Sequence, residues 1–259
     1  MAVCGVLLDL EGVLYQDGEP INGAADAVVV LRKAGLGLRF LTNTTTRPRR
    51  DVYARLVALG IDATLDDIFL PALAAGRFLK HIGVERIHLA APPGLADDFA
   101  DFTLVDDRPD AVIIGELYTG FTWQRVNGLF QMAQDGARLV ALHQNRFCRR
   151  PKGLSLDVGP FVAALEYGAG AEADIMGKPS PAFFRMALDS LALDPTQVIM
   201  VGDDIEADIG GAQHAGLPAV QVETGKFSRR DLKHPSVTPD ARLPSIASLP
   251  DWITALTSG

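Results

Sequence analysis

Cysteine is scarce in this sequence, with only Cys4 and Cys148 among 259 residues. Two cysteines so far apart form neither a disulfide framework nor the paired cysteines of a structural zinc site. Their scarcity favours a reducing compartment, so we expect a cytoplasmic protein. The N-terminus leads straight into an apolar run, without the basic segment and long apolar stretch of a secretory signal.

The sequence also lacks long apolar runs and an excess of positive charge. No window approaches the roughly 18 consecutive apolar residues that predict a membrane-spanning helix. The formal net charge is −8, and the lysine and arginine residues do not cluster strongly. We therefore expect neither nucleic acid nor a membrane surface as a partner. Repeats at solenoid periods and low-complexity segments are absent as well.

What is present is the composition of an ordinary globular protein, with 48% hydrophobic and 22% charged residues. Short apolar runs alternate with segments of helical periodicity along the whole chain. Strand–helix alternation with nearly continuous apolar strands predicts parallel sheets covered by helices, and therefore an α/β fold. The stretch from Lys233 to Leu243 is predicted to be a surface loop before a last helix. The predicted strands are VCGVLLDL, LGLRFLT, ERIHLAA, DAVIIG, ARLVALH, ADIMG, QVIMVGD and LPAVQVE.

Reactive or phosphate-binding side chains follow four of these runs. Ligands of open parallel sheets bind at the carboxyl ends of the strands, where strand ends and helix N-termini converge. We therefore expect these side chains to form one site. The four groups are Asp9 with Glu11, Thr42 and Asn43 with Thr44–Thr46, Gly177–Lys178–Pro179, and Gly202–Asp203–Asp204 with Asp208.

Taken singly, each group also has a structural interpretation. Asp9 could end a strand and cap a turn. The threonines could cap a helix that begins near Pro48. Lys178 could be an ordinary surface lysine, and Asp203 and Asp204 could be turn residues. Their coincidence at the ends of predicted strands favours a functional site instead.

Together these side chains have the chemistry of phosphoryl transfer. The carboxylates of Asp9 and Asp203 are hard oxygen ligands suited to Mg²⁺, which takes one or two carboxylates and leaves room for water and phosphate. An aspartate can attack phosphorus and form an acyl phosphate, which divides the transfer into two easier steps. Lys178 and the Thr42 hydroxyl would hold the phosphoryl oxygens and their charge.

The motifs D-x-E-G-V, L-T-N, G-K-P and G-D-D-I-E-A-D, in this order, resemble the four motifs of the haloacid-dehalogenase-like (HAD) phosphatases. The interval between Asn43 and Lys178 has room for an inserted α/β cap, like that of the type IIA subclass. The resemblance implies a Rossmann-like core of residues 1–75 and 177–259, with a cap at residues 76–176. Other segments resemble the type IIA branch named for phospholysine, phosphohistidine and inorganic pyrophosphate, namely TGFTWQRVN, LDVGPFVAALEYGAG, GKPSPAFF and VGDDIEADIGGAQHAG.

Carried over residue by residue, the resemblance implies a magnesium-dependent phosphohydrolase that acts through an aspartyl phosphate. Asp9 would be the nucleophile and a Mg²⁺ ligand, and position 11 would bind the metal through its backbone carbonyl. Asp203 would be a further metal ligand, and Asp208 would hold metal-bound water or orient the motif lysine. The residues implied in phosphate binding are Thr42, Asn43 and Lys178, of which Lys178 also serves catalysis.

Glu11 departs from the family pattern, which has aspartate at this position as general acid and then base. The ordinary pKa values of aspartate and glutamate in water differ by only about 0.4, so the carboxyl chemistry is retained. The extra methylene moves the group by roughly an ångström, however, and such a displacement can cost about 100-fold in rate. Glu11 is thus either an adapted or a weakened acid/base. We hypothesise a preference for leaving groups that need little protonation, such as pyrophosphate or P–N phosphates.

Other functions fit the sequence less well. The segment GKPS lacks the Ser or Thr that a P-loop requires directly after its lysine. No G-x-G-x-x-G follows a strand, and no H-E-x-x-H occurs among the five histidines. A phosphate-binding or interaction protein with impaired turnover stays open as the alternative, motivated by Glu11, and a dehalogenase or mutase is a more distant one. The expected partner is a small phosphorylated molecule, and the resemblance implies a homodimer, since relatives with this cap type are often dimers.

Overall fold

Strands and helices alternate along the chain, which confirms the predicted α/β class. The computed structural model describes residues 3–150 and 153–258. In chain order the strands are β1 (Gly5–Asp9), β2 (Tyr15–Gln16), β3 (Glu19–Pro20), β4 (Gly37–Leu41), β5 (Ile68–Phe69), β6 (Arg86–Ala90), β7 (Thr103–Leu104), β8 (Ala111–Ile114), β9 (Arg138–Ala141), β10 (Phe147–Arg150), β11 (Gly153–Leu156), β12 (Asp174–Ile175), β13 (Val198–Gly202), β14 (Ala219–Val222) and β15 (Ala241–Leu243). The α-helices are α1 (Ala24–Lys33), α2 (Arg49–Ala58), α3 (Pro71–His81), α4 (Trp123–Gln134), α5 (Val158–Ala169), α6 (Pro181–Asp189), α7 (Gly211–His214) and α8 (Leu249–Ser258).

The chain folds into two compact units. The first unit contains the residues up to Thr42, Arg50–Phe69 and the residues from Lys178 onward. The second unit contains Asn43–Arg49 and Leu70–Gly177. Within the part of the chain that the structure describes, every helix is too short or too polar to cross a membrane.

A six-stranded parallel sheet forms the centre of the first unit, in the order β15-β14-β13-β1-β4-β5. All five residues of β1 are buried, as expected for a central strand whose sequence, GVLLD, is apolar up to its last residue. β1 pairs with β13 on one side and with β4 on the other, and Asp9 lies opposite Leu41. The carboxyl ends of three neighbouring strands therefore lie side by side.

The strand order reverses at β1, since β4 and β5 extend the sheet to one side and β13, β14 and β15 extend it to the other. In open α/β sheets the loops diverge at such a point, and the crevice between them binds ligands. Asp9 ends the strand at this point, and Asp203 directly follows the adjacent β13. The topology thus brings two carboxylates together that are far apart in sequence.

The prediction of a loop from Lys233 to Leu243 is wrong at its end. Ala241–Leu243 forms β15, which pairs in parallel with β14 at the edge of the sheet. A three-residue edge strand is too short to carry a periodic sequence pattern. Its backbone hydrogen bonds, which do not depend on the identity of the side chains, place it in the sheet.

The second unit has its own parallel sheet of five strands, in the order β12-β9-β8-β6-β7. All four residues of β8 are buried, and Val112 and Ile114 belong to a hydrophobic cluster with residues of α4 and α5. Phe121 packs against this cluster, and its ring stacks on that of Phe161 with the centroids 4.0 Å apart. An antiparallel hairpin of β10 and β11 also belongs to this unit.

Aromatic packing anchors α6 on the sheet of the first unit. Phe183 is fully buried, and its ring centroid lies 5.1 Å from that of Phe69 on β5 and 5.9 Å from that of Phe184. Tilted and edge-on pairs of this kind add to the free energy of area burial. The helix that follows Lys178 is therefore held tightly.

Phe183→Ala should lower the free energy of unfolding by about 3–5 kcal/mol, because it leaves a cavity among three packed rings. Urea denaturation of the purified protein measures the change. Val57→Ala, at a half-exposed helix position, is the control and should shift stability by less than about 0.5 kcal/mol. Equal effects of the two substitutions would contradict the role assigned to this packing.

Candidate active site

A buried lysine joins two aspartates at the carboxyl end of the first unit's sheet. Lys178 Nζ donates hydrogen bonds to Asp9 Oδ1 at 2.5 Å and to Asp208 Oδ1 at 2.6 Å. All three side chains are buried. Buried charges are stable only when they are paired, so this arrangement fixes the orientation of the Asp9 side chain. The alternative interpretation of Lys178 as a surface lysine is wrong.

The neighbouring aspartates stabilise the charged form of Lys178. Burial disfavours the charged form, but Asp208 and Asp9 outweigh burial and raise the pKa of Lys178 well above its usual range. Asp208 is completely buried, and its other oxygen, Oδ2, accepts a hydrogen bond from the Asp204 backbone N–H at 3.2 Å. Both oxygens of Asp208 are thus engaged, one of them by the Lys178 ammonium, and the role that the resemblance implies for Asp208 stays a prediction.

Asp203 has a different environment from the other two aspartates. Its Oδ2 accepts a hydrogen bond from the Lys226 backbone N–H at 2.6 Å. Among the residues that the structure describes, its Oδ1 is buried and has no hydrogen-bond partner. Burial, followed by the charges of Asp9 and Asp208, raises the pKa of Asp203 to about 8. An unpartnered buried carboxylate oxygen of this kind requires either a proton or a cation.

The carboxylates fit a small divalent cation. Oxygen atoms of Asp9, Asp203 and Asp208 lie within 4.8 Å of one another. Hard oxygen donors of this kind suit Mg²⁺, and Asp203 Oδ1 is the atom most clearly available to it. The single ammonium of Lys178 offsets part of the charge of the three carboxylates, and a cation would offset the rest.

Two glycines press against the Asp203 carboxylate. A Cβ built on Gly12 would overlap Asp203 Oδ2, and a Cβ on Gly225 would overlap the same oxygen and lie 2.6 Å from Gly12 Cα. Both glycines also have positive φ values, 89° and 65°. Any side chain at either position would displace Asp203, so the close approach of the two backbones requires glycine.

Thr224–Lys226, which we name the strap, is a part of the site that sequence reasoning did not identify. Thr224 Oγ1 donates a hydrogen bond to the Gly12 carbonyl oxygen at 2.5 Å, and the Lys226 N–H binds Asp203. Lys226 Nζ also forms an ion pair with Asp204 Oδ2 at 3.0 Å. A signal was present, since TGK follows the predicted strand LPAVQVE in the same way that the other groups follow theirs.

The predicted phosphate-binding pair spans the boundary between the two units. Thr42 directly follows β4, one residue beyond the partner of Asp9, and its backbone N–H donates to the Phe69 carbonyl oxygen at 3.2 Å. Asn43 begins the first segment of the second unit, where its Oδ1 lies close to Gly177. Thr42 is therefore placed beside the Asp9 strand end, and the role of both residues in phosphate binding stays a prediction.

The Glu11 carboxylate is exposed and is engaged at a backbone turn. Its Oε1 accepts a hydrogen bond from the Asp17 backbone N–H at 2.9 Å, in the turn between β2 and β3. The observed hydrogen bond serves a backbone turn, and the acid/base role that the sequence predicts for this side chain stays a prediction. The predicted metal contact of position 11 concerns its backbone carbonyl and does not depend on this side chain.

Family models match both parts of the chain that form the first unit. Residues 6–104 match a model described as haloacid dehalogenase-like hydrolase, and residues 175–249 match a HAD-hydrolase-like model. The chain is 40% identical over 257 residues to the phospholysine phosphohistidine inorganic pyrophosphate phosphatase of Rattus norvegicus, covering 97% of this chain and 94% of that protein.

Solved phosphatase structures have the same fold. The p-nitrophenyl phosphatase from Archaeoglobus fulgidus superimposes with a TM-score of 0.90 at 26% identity, and the match covers 97% of this chain and 100% of that chain. NagD from E. coli K-12 has a TM-score of 0.86 at 26% identity, covering 95% of this chain and 98% of that one. Both likenesses extend over nearly the whole chain.

Without divalent cations, the free energy of unfolding should fall as pH rises, and Asp203→Asn should remove much of this pH dependence. The pKa of Asp203 is raised from 3.8 to about 8, so between these values the folded state binds a proton that the unfolded state releases. The free energy of unfolding then decreases with increasing pH in this window. Thermal midpoints in a chelator, measured between about pH 5 and pH 8 for both proteins, test this.

As pH rises over this range, the wild type should lose stability relative to Asp203→Asn. Added Mg²⁺ should restore the stability of the wild type, because the cation would take the place of the proton on Asp203. Parallel pH curves of the two proteins in chelator would contradict the charge state assigned to Asp203.

Proposed function

This chain belongs to the haloacid dehalogenase-like hydrolases, and we propose that it is a magnesium-dependent phosphohydrolase whose nucleophile is Asp9. It is a hydrolase of this family that acts on phosphorylated substrates. The observation that carries the finer proposal is the pairing of Asp9 with buried Lys178 beside the unpartnered Asp203 oxygen. A structural ion pair alone would not need a third carboxylate.

In the proposed reaction, a carboxylate oxygen of Asp9 attacks the phosphorus atom of the substrate. The bond from phosphorus to the leaving group breaks, and its electron pair departs with the leaving group. Asp9 then carries the phosphoryl group as an acyl phosphate. Water attacks the same phosphorus, the Asp9 oxygen–phosphorus bond breaks, and inorganic phosphate is released with the carboxylate regenerated.

Protein groups around Asp9 would stabilise the charge of the transferred group. Mg²⁺ held by Asp9, Asp203 and the backbone carbonyl of position 11 would neutralise phosphoryl oxygens and let an anionic nucleophile approach. Lys178 already contacts Asp9 and would bind the same oxygens, while Asp208 keeps its ammonium directed at the site. Thr42 and Asn43 would donate further hydrogen bonds to the phosphate.

The proposed substrates are small molecules with a phosphoanhydride or P–N bond, of which pyrophosphate is the simplest. Two observations support this class. The relative from Rattus norvegicus is named for phospholysine, phosphohistidine and inorganic pyrophosphate. The Glu11 carboxylate is engaged at the Asp17 N–H, and a side chain held in this turn is less available to donate a proton to a leaving group. Leaving groups that depart without strong protonation suit such a site.

The second unit would act as the cap, within residues 76–176, and would select the leaving group. We also propose a cytoplasmic location, from the scarcity of cysteine, with neither nucleic acid nor membrane as partner. The homodimer stays a prediction from the resemblance.

The alternative function is a phosphate-binding or interaction protein with impaired turnover. It is favoured by the same Glu11 contact, because an acid/base held elsewhere could leave hydrolysis slow. Phosphate release by Glu11→Asp, with none by the wild type over a panel of phosphorylated metabolites, pyrophosphate and phosphoramidates, would support it.

Asp9→Asn should abolish magnesium-dependent phosphate release, lowering kcat by about 10³-fold or more, because the amide is not a competent nucleophile. The assay follows inorganic phosphate from pyrophosphate with Mg²⁺ and with chelator. Asp26→Asn, an exposed aspartate on α1, is the matched control and should retain full activity. Activity that survives in Asp9→Asn would exclude Asp9 as the nucleophile.

Pyrophosphate or a phosphoramidate should be hydrolysed with a kcat/KM about 10²-fold or more above that of a primary alkyl phosphate. The alkoxide of the alkyl phosphate is the poorest of these leaving groups, so the lack of a general acid slows its departure most. Steady-state kinetics of the wild type with Mg²⁺ give this ratio, with Asp9→Asn as the background. Equal rates, or faster hydrolysis of the alkyl phosphate, would refute the proposed preference.

A further inference from the structure

The Glu11 carboxylate holds the turn of a small hairpin. β2 and β3 are joined by Asp17 and Gly18, which both have positive φ values, 51° and 93°. Two-residue turns of this kind join short antiparallel strands, and an isolated two-stranded hairpin is only marginally stable. The hydrogen bond from the Asp17 N–H to Glu11 Oε1, at 2.9 Å, therefore ties the turn to the loop that follows the nucleophile.

The hairpin in turn contacts the strap. Gln16, the last residue of β2, accepts a hydrogen bond through Oε1 from the Gly225 N–H at 3.3 Å. Its neighbour Tyr15 is buried, and the guanidinium of Arg55 lies 4.6 Å from the centre of its ring. The hairpin is thus fixed at one side by Tyr15 and at its turn by Glu11, and it presents Gln16 to the strap.

The strap contacts both the Asp203 carboxylate and the backbone of Gly12 beside it. Thr224 holds the carbonyl of Gly12, and the Lys226 N–H holds Asp203 Oδ2. With Oδ2 occupied in this way, the other oxygen of Asp203 is the one left for a cation. The hydrogen bonds from Glu11 through the hairpin and strap thus reach one oxygen of the Asp203 carboxylate, and the other oxygen of the same carboxylate is the one that would bind the cation.

We propose that Glu11 is a positioning residue, whose carboxylate holds the hairpin against the strap and thereby fixes Asp203 for metal binding, and that it is not the proton donor of the reaction. The proposal rests on the proposed function in one respect, the binding of a divalent cation by Asp203. The side chain acts only as a hydrogen-bond acceptor in this role, so its ability to titrate is irrelevant.

The substitutions Glu11→Gln and Glu11→Ala distinguish a role of Glu11 as hydrogen-bond acceptor from a role as proton donor. Glutamine keeps an oxygen that can accept the Asp17 N–H, but it cannot donate a proton at any catalytic step that requires a carboxylic acid. Alanine removes both capacities. Glu19→Ala is the matched control, because Glu19 is an exposed glutamate in the same hairpin and its loss changes the net charge equally.

The experiment measures Mg²⁺ affinity of the metal-free proteins by isothermal titration calorimetry in the absence of substrate, together with hydrogen exchange of residues 13–20. We expect Glu11→Ala to bind Mg²⁺ about 3- to 10-fold more weakly than the wild type and to exchange faster in the hairpin, as the loss of one backbone-directed hydrogen bond implies. Glu11→Gln and Glu19→Ala should stay within about 2-fold of the wild type.

The pH profile of kcat/KM with pyrophosphate completes the test. The profile of Glu11→Gln should match that of the wild type. Loss of turnover in Glu11→Gln comparable to that in Glu11→Ala, with unchanged Mg²⁺ affinity, would identify Glu11 as the acid/base and overturn the proposal. Unchanged Mg²⁺ affinity and hairpin exchange in Glu11→Ala would overturn it as well.

Failure of the proposed function would be recognised separately. In that case the wild type itself would bind no Mg²⁺ in the calorimeter and would release no phosphate. Gln16→Leu supplies an independent arm, since it breaks the hairpin–strap contact without touching Glu11. It should weaken Mg²⁺ binding to a similar extent, and wild-type affinity in Gln16→Leu would contradict the transmission of the effect through the hairpin.

Discussion

One buried ammonium compensates the acidic residues on which the candidate site depends. Lys178 contacts both Asp9 and Asp208 at hydrogen-bonding distance, and all three side chains are removed from water. The low-dielectric surroundings strengthen these attractions and penalise any carboxylate that has no partner. Asp203 is the carboxylate left over, which explains both its raised pKa and its unpartnered oxygen. Three carboxylates against one ammonium leave an excess of negative charge, which a divalent cation would offset.

The parallel sheet creates this concentration of charge. β1 and β13 are adjacent and end at the same edge, so Asp9 and Asp203 lie close together although 194 positions separate them, as 203 minus 9 gives. The two backbones that cross Asp203 can approach only because Gly12 and Gly225 have no side chains. The strap then supplies the N–H that orients one carboxylate oxygen and leaves the other. Fold and electrostatics are therefore linked at one carboxylate.

At Glu11 the family motif predicts an acid/base role, and the structure shows a hydrogen bond to a backbone turn. The position matches the family motif and lies two residues after the nucleophile, so sequence reasoning predicts an acid/base role. Its longer side chain is exposed and accepts a hydrogen bond from the Asp17 backbone. The two-residue strands of the hairpin that offers this N–H carry no periodic pattern, so the sequence did not reveal them. The strap was missed for a related reason, since it contacts Asp203 through the backbone N–H of Lys226, a group that nearly every residue possesses.

The sequence by itself determined the α/β class, the eight principal strands and the presence of Asp9, Lys178, Asp203 and Asp208 at their carboxyl ends. These features follow from local patterns, namely apolar runs that are buried on both faces and polar residues that end them. Only the tertiary structure decided that Lys178 joins Asp9 and Asp208, that Asp203 keeps one oxygen free, and that Glu11 turns to the hairpin. These outcomes depend on distances between segments remote in sequence and on backbone hydrogen bonds. Neither can be predicted from a local sequence pattern.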